Sequence, residues 1–430
     1  MSHSPTSRIA SRLARLSLVA ATAALLLPGA AQAVPSFARQ TGLACEACHT
    51  VFPELTPFGR RFKLNGYTID NLPQVSDETT SKDQTLLLNQ LPPLSFMLQT
   101  SITSTKKAAA DSQVAGASAQ NGTTEFPQQA SLFYAGRIAP GLGAFVQMTY
   151  DSQNALGMDN TDIRYAKNVN PNFLWGFDMN NNPTVQDVWN TTQAWQAPID
   201  QRSDVSSAPR PGGFALVDGG LSGIGMSAYG YWNNSIYAEL GGYRSSAAGA
   251  PLDSTSTGVI DGVAPYWRLA YEKQWGVQSW EVGAYGVDAK MFPGNGVALS
   301  GATDRYNDVA LDTQYEYIND QNIYAVTSTY IKEDQTLDAS NPGTNPSFKT
   351  FRVAGNYYYQ RKYGASLGYY TTTGSGALNL DQTAWSGELD WLPYQNTRLA
   401  LQYTAFNKFG GTTTNASDNN TLYLLGWINF

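Results

Sequence analysis

Cys45-Glu46-Ala47-Cys48-His49 puts two thiols and an imidazole in one five-residue run. At C-x-x-C-H spacing, two thiols form thioethers to the vinyl groups of a c-type haem, and the adjacent imidazole becomes the proximal iron ligand. The chain has two cysteines, both in this run, and two histidines. The other histidine, His3, precedes an expected cleavage site. One covalently attached haem c with His49 as its histidine ligand is therefore expected. A zinc site would need a second ligand pair, which the composition does not supply. A thioredoxin-like dithiol would need a βαβ setting, and nothing near residue 45 reads that way.

The N-terminus fits an exported protein. Arg8, Arg12 and Arg15 form a basic region, Leu16 to Leu27 an apolar one, and Ala31-Gln32-Ala33 a cleavage site, so residues 1–33 read as a signal peptide. The apolar run is too short for a membrane-spanning helix. Loss of those three arginines leaves 24 basic against 34 acidic residues, a net charge of −10. That balance argues against nucleic-acid binding.

From residue 92 to 430 the recurring pattern is period-2 alternation, the signature of strands. Leu399, Leu401, Tyr403 and Ala405 share one face, and Arg398, Gln402 and Thr404 the other. Trp267, Leu269 and Tyr271 oppose Arg268, Glu272 and Gln274. Phe351, Val353, Tyr357 and Tyr359 oppose Arg352 and Asn356. A soluble sandwich also alternates. Here the chain carries 25 Tyr and 10 Trp, which cluster near strand ends, and no long apolar run occurs, which favours a barrel with interfacial aromatic girdles.

Connections alternate in length, as they do in outer-membrane barrels. Short turns are expected near 139–141, 169–172, 233–234, 276–277, 319–320, 361–362 and 394–395, and long polar loops near 105–129, 181–220, 245–263, 290–304, 334–346, 375–382 and 408–419. The count gives an all-β fold, a transmembrane barrel of roughly sixteen strands. Phe430, Ile428, Gly426, Leu424 and Leu422 form a mostly apolar face ending in an aromatic, as in the C-terminal strand that targets such barrels to the bacterial outer membrane. The alternative for that strand is an ordinary sheet edge. A barrel this wide is expected to enclose an aqueous lumen. Parity places Asp308, Asp312, Glu316, Glu272, Glu281, Glu388 and Asp390 inside, interspersed with Arg164, Arg268, Arg352 and Arg398. The acidic bias would favour cations, although any porin lumen is charged.

Residues 34–91 are too few for a self-sufficient cytochrome with a long helical scaffold. A barrel lumen could supply the missing enclosure, so this segment is expected to form a haem plug inside the barrel or at its mouth. Phe37, Leu55, Phe58, Phe62 and Tyr67 are candidates to shield the haem faces. Pro53 and Leu55 would pack beside the proximal imidazole. Arg39, Arg60 and Arg61 could neutralise the propionates. The alternative for each is a structural contact in a compact plug. Gly42, Gly59 and Gly66 are expected to permit tight turns.

Val34-Pro-Ser-Phe-Ala-Arg-Gln-Thr-Gly42, the haem motif, and Pro53-Glu-Leu-Thr-Pro-Phe-Gly-Arg-Arg-Phe-Lys-Leu-Asn-Gly-Tyr67 together carry a family resemblance. This stretch resembles the N-terminal haem segment of the fused monohaem cytochrome–porins of bacterial outer membranes, a family that includes the iron(II) oxidases of iron-oxidising bacteria. The resemblance covers residues 36–67; the barrel matches in architecture, length and terminal aromatic. It implies an iron(II):cytochrome c-type oxidoreductase. Extracellular iron(II) would be the donor, and a periplasmic cytochrome or other carrier the acceptor. The barrel itself would sit in outer-membrane lipid.

The second axial iron position is open. Methionine is the usual alternative to histidine and raises the potential. Leu94, Phe96, Leu98 and Ile102 take the lipid face of one strand, which turns Met97 into the lumen with Ser95, Gln99 and Ser101. Met97 is thus the leading methionine, with a packing role as its alternative. Lys63 or water are the other options. Besides iron oxidation, two further functions fit the residues: electron transfer with a different extracellular donor or acceptor, and a solute porin whose haem is structural or regulatory.

Overall fold

A computed structural model describes residues 35–69, 74–76, 87–89, 91–107, 123–152, 154–192, 195, 215–245, 258–293, 300–394 and 396–430. The expected signal peptide lies outside the described residues. The chain forms a closed barrel of 16 antiparallel strands. The first four are β1 (Leu94–Thr105), β2 (Thr123–Ala139), β3 (Leu142–Asp151) and β4 (Leu156–Asn170). Then come β5 (Phe173–Asn180), β6 (Ile224–Trp232), β7 (Ile236–Arg244) and β8 (Ala264–Trp275). Next are β9 (Gln278–Pro293), β10 (Asp304–Ile318), β11 (Asn322–Thr336) and β12 (Ser347–Tyr359). The last are β13 (Tyr363–Thr373), β14 (Gln382–Tyr394), β15 (Thr397–Lys408) and β16 (Thr421–Asn429). Each pairs with its sequence neighbour, and β16 closes on β1 from Thr421↔Thr105 to Asn429↔Met97. Phe430 continues that seam by exchanging backbone hydrogen bonds with Phe96 at 2.7 and 2.8 Å.

The alternation sorts side chains as the pleat requires. On β15, Arg398, Ala400, Gln402 and Thr404 are buried inside while Leu399, Leu401 and Tyr403 face out. Trp232, Trp275, Trp280, Tyr359, Tyr363 and Trp391 stand exposed beside the short turns, an aromatic girdle at that end. The short connections fall where the turn residues place them. The β2 strand starts earlier than the expected loop over 105–129 allows, at Thr123.

The lumen is not the open aqueous space that barrel size alone suggests. Three short helices, α1 (Pro35–Thr41), α2 (Cys45–Cys48) and α3 (Pro57–Leu64), form a plug at the short-turn end. Ser36 bonds the Ala135 carbonyl, Glu46 pairs with Arg361 at 3.6 Å, and Asn168 reaches Asn65 at 3.5 Å. The described parts of the segment after β5 also turn inward, starting with α4 (Pro183–Gln186). Its Leu216 and Val217 amides donate to Glu333 and Asp308, each at 2.9 Å, and its Asp218 pairs with Arg352 at 2.7 Å. The lumen-facing set predicted by parity is otherwise almost entirely covered, with Arg164 0%, Arg268 1% and Glu316 1% exposed.

Part of the expected lumenal charge is tied up in fixed pairs. Arg398 is held by Glu388 and Asp390, and Arg164 by Asp162. Buried carboxylates need such partners because desolvation is costly.

Candidate functional site

The C-x-x-C-H run starts with a single helical turn. Cys45 and Cys48 are three residues apart, which puts both thiols on one side of α2. They are not bridged to each other. His49 leaves the helix in extended conformation, its amide donating to the Cys45 carbonyl at 2.9 Å, and it bridges to Leu55. Its Nδ1 lies 3.2 Å from the Glu54 carbonyl. That contact suits an Nδ1–H donor, the arrangement by which a ligand imidazole is oriented. Burial pushes the imidazole pKa down to about 4, so the ring is neutral and able to bind a metal.

Helix α3 braces this turn. Thr56 caps it, accepting from the Gly59 amide at 3.1 Å and donating to the Ala47 carbonyl at 2.6 Å. A Cβ on Gly59 would stand 2.2 Å from the Cys48 carbonyl oxygen. Gly59 thus serves close helix approach and not the turn expected for it. Gly42 and Gly66 do adopt positive φ, 68° and 69°.

Plug, wall and inward loop line one cavity. Cys45, Cys48, His49, Phe37, Pro53, Leu55, Phe62 and Tyr67 line it from the plug. Met97, Phe133, Phe145 and Trp427 line it from the strands, and Val185, Asn190 and Trp195 from the inward loop. Phe37 stacks on Tyr67 at 5.5 Å and meets Phe62 edge-on at 5.1 Å. The lining is mostly apolar, as cofactor sites are. A c-type haem fits these residues: two thiols, a neutral imidazole, aromatic walls, and a thioether.

That thioether is Met97, 1% exposed and in one apolar cluster with Phe62, Tyr67, Phe133 and Trp427. Gln99 Nε2 lies 3.8 Å from its sulfur, a weak contact. Lys63 lines the same cavity, but its ammonium is engaged by the Val185 carbonyl and by the Asp187 carbonyl at 2.9 Å. Burial, aided by Arg164, lowers its pKa to about 8, so near neutral pH it stays protonated on those carbonyls.

Four expected residues lie elsewhere. Phe58 is 43% exposed and does not line the cavity, because it sits on the outward side of α3 with Arg61. Arg60 does not reach the cavity either. It is buried against the far wall, with Nη2 2.9 Å from Glu272 and 2.8 Å from Glu316. Those two carboxylates outweigh the burial that would lower its pKa, and raise it. Arg39 donates to the Leu94 carbonyl.

The sequence reading missed Phe52, whose ring is 4.5 Å from that of His49. It also missed Phe133, Phe145 and Trp427. Their signal was present: Tyr423, Leu425 and Trp427 make the inward face of β16 apolar where a polar one is usual.

No family model and no curated protein matches the chain. Solved porin structures do match its fold. OmpF of Salmonella typhi in complex with daunomycin is similar with a TM-score of 0.52 and 11% identity, covering 78% of this chain and 97% of that one. The outer membrane channel DcaP of Acinetobacter baumannii is similar with a TM-score of 0.49 and 11% identity, over 78% of this chain and 96% of that one. The loop L8 deletion mutant of OmpT from Vibrio cholerae gives 0.47 and 13%, over 78% and 98%. The shared property is the fold, a porin-like β-barrel of the bacterial outer membrane.

Proposed function

We propose that this protein is an outer-membrane monohaem c-type cytochrome–porin that oxidises extracellular iron(II) and delivers electrons to a periplasmic carrier. The observation that carries the reading is the meeting of Cys45, Cys48, His49 and Met97 in one apolar cavity within the barrel. A haem c bound there would supply a one-electron iron couple. Cys45 and Cys48 would hold it covalently, His49 would be the proximal ligand and Met97 the distal one. Phe37, Phe62 and Tyr67 keep water from the cavity. Arg60 fixes the plug to the wall, and Lys63 ties it to the inward loop.

Electron transfer suits a barrel whose interior is filled. The described lumen is occupied by plug, inward loop and paired charges, which opposes free solute flow and leaves electron tunnelling as a route across the wall. Electron transfer needs no general acid or base from the protein. Iron(II) as donor rests on the family resemblance over residues 36–67. A solute porin with a structural or regulatory haem is the second reading, favoured by the OmpF-like fold.

Anaerobic mixing of the oxidised, haem-attached protein with iron(II) tests the proposal. The haem absorbance is expected to shift to the reduced form, and a periplasmic cytochrome to reoxidise it. A haem that stays oxidised in excess iron(II) at both acidic and neutral pH rejects iron as the donor. Rapid swelling of liposomes carrying the intact protein in small sugars would support the porin reading.

A further inference from the structure

Strand β10 carries Asp308, Asp312 and Glu316 at every fourth position, all turned inward and at most 3% exposed. One carboxylate oxygen of each holds a different segment. Asp308 Oδ2 accepts from the Val217 amide at 2.9 Å, Asp312 Oδ2 from Thr191 and Arg268, and Glu316 Oε2 from Arg60 at 2.8 Å. The other oxygen of each is buried and makes no hydrogen bond.

At the middle position a second carboxylate joins. Glu281 of β9 is 1% exposed, and neither of its oxygens makes a hydrogen bond. Its contact with a cation is Arg268 Nη2 at 3.6 Å. Gly283 faces Asp312 across the ladder. A Cβ added there would stand 2.4 Å from Asp312 Oδ1 and 2.6 Å from Glu281 Oε1, so the two oxygens converge over a position that only glycine leaves clear. The buried Tyr285 hydroxyl, two residues on along the same inward face, also lacks a hydrogen bond.

The local charge does not balance. Asp187, Glu281 and Asp312 pair with one guanidinium, that of Arg268, while the neighbouring Arg60 is held by Glu272 and Glu316 and the Lys63 ammonium by backbone carbonyls. Ionised carboxylates held out of water require a counter-charge. Among the described residues no three His, Cys, Asp or Glu side chains form a metal cage. Two carboxylates with water completing the shell is nonetheless how a hard divalent cation of the magnesium type is commonly held.

We infer that Glu281 and Asp312 form a binding site for a hard divalent cation beside Gly283. The site is distinct from the haem cavity, whose lining includes neither residue. It does not depend on the donor being iron.

Manganese(II) is the probe, because it is redox-inert here and its free form gives a strong electron paramagnetic resonance signal. The haem-attached protein in detergent is titrated with it, alongside Glu281→Gln, Gly283→Ala and the exposed control Asp334→Asn. The wild type and Asp334→Asn are expected to take up one saturable manganese(II), competed by magnesium. Glu281→Gln removes a charge, and Gly283→Ala fills the space under both oxygens without changing charge. Each is expected to weaken binding by roughly tenfold to a hundredfold or more. Either variant is sufficient if the other fails to fold, as judged by heat-modifiable gel migration. No saturable uptake by the wild type overturns the site. So does unchanged affinity in a folded variant, which would assign buried water or a shared proton to that place.

Discussion

Arg60 Nη2 lies 2.8 Å from Glu316 Oε2, an ion pair between the plug and a barrel strand 256 residues away. The same nitrogen reaches Glu272 at 2.9 Å, and all three side chains are buried. Loss of the guanidinium leaves two carboxylates uncompensated. Breaking a buried pair in this way costs about 3–5 kcal/mol. Arg60→Met is therefore expected to undock the plug, making the segment around residues 35–69 protease-sensitive and speeding liposome swelling. Arg60→Lys is expected to restore little, because an ammonium cannot reproduce the planar fork. Swelling at the wild-type rate in Arg60→Met would remove Arg60 as the lock.

Met97→Ala is expected to abolish the near-infrared sulfur-to-iron charge-transfer band and lower the reduction potential, with haem still attached through Cys45 and Cys48. Lys63→Met is expected to leave that band in place, since the Lys63 ammonium is bonded to Val185 and Asp187. If instead Lys63→Met changes the axial spectrum and Met97→Ala does not, the distal position belongs to Lys63.

Asp187 organises the inward loop. Its carboxylate accepts from the Trp189 amide at 3.0 Å, the Thr192 amide at 2.9 Å and the Thr192 hydroxyl at 3.0 Å. Hydrogen bonds to a charged group contribute about 1.5–3 kcal/mol each. Asp187→Ala is expected to raise amide exchange across 182–192. It should also alter the Soret circular dichroism, because Val185 and Asn190 line the cavity. Unchanged exchange would show that other contacts hold this loop.

Glu54 carries a pH signature. Burial, and next the Glu316 carboxylate, push its pKa from the ordinary 4.5 up to about 7. Between those values the unfolded chain has released a proton that the folded one keeps. Stability contributed at this residue therefore falls as pH rises through that window, and the penalty is complete above it. Glu54→Gln retains an acceptor for Asn356, which donates to Glu54 at 2.6 Å. The variant is expected to gain up to about 3 kcal/mol above neutrality and nothing below pH 4.5. The thermal midpoint of the Soret dichroism, followed against pH in both proteins, measures it.

Strand faces were legible because a pleat has a period of two, and parity alone turned Met97 and Arg398 inward. The helix faces of the plug were harder to read. Phe58 and Phe62 look equivalent as aromatics four residues apart, yet only Phe62 enters the cavity. The role of Arg60 was hidden because its partners are 212 and 256 residues distant. No local pattern reports such pairs. The inward loop was hidden for a related reason: its polar composition reads as an exposed outer loop, and only the wall carboxylates that receive Leu216 and Val217 reveal otherwise.

The wall surrounds the plug on several sides. Plug residues contact β2 through Ser36, β4 through Tyr67, β10 through Arg60, β12 through Glu54 and β15 through Phe52. Cys45 is 7% exposed once these contacts form. For the haem protein proposed above, an attaching enzyme would not reach that thiol after β16 has paired with β1. Biogenesis would then run in one order: thioether formation on an unfolded N-terminal segment in the periplasm, and only afterwards membrane insertion, with the barrel closing around the attached haem.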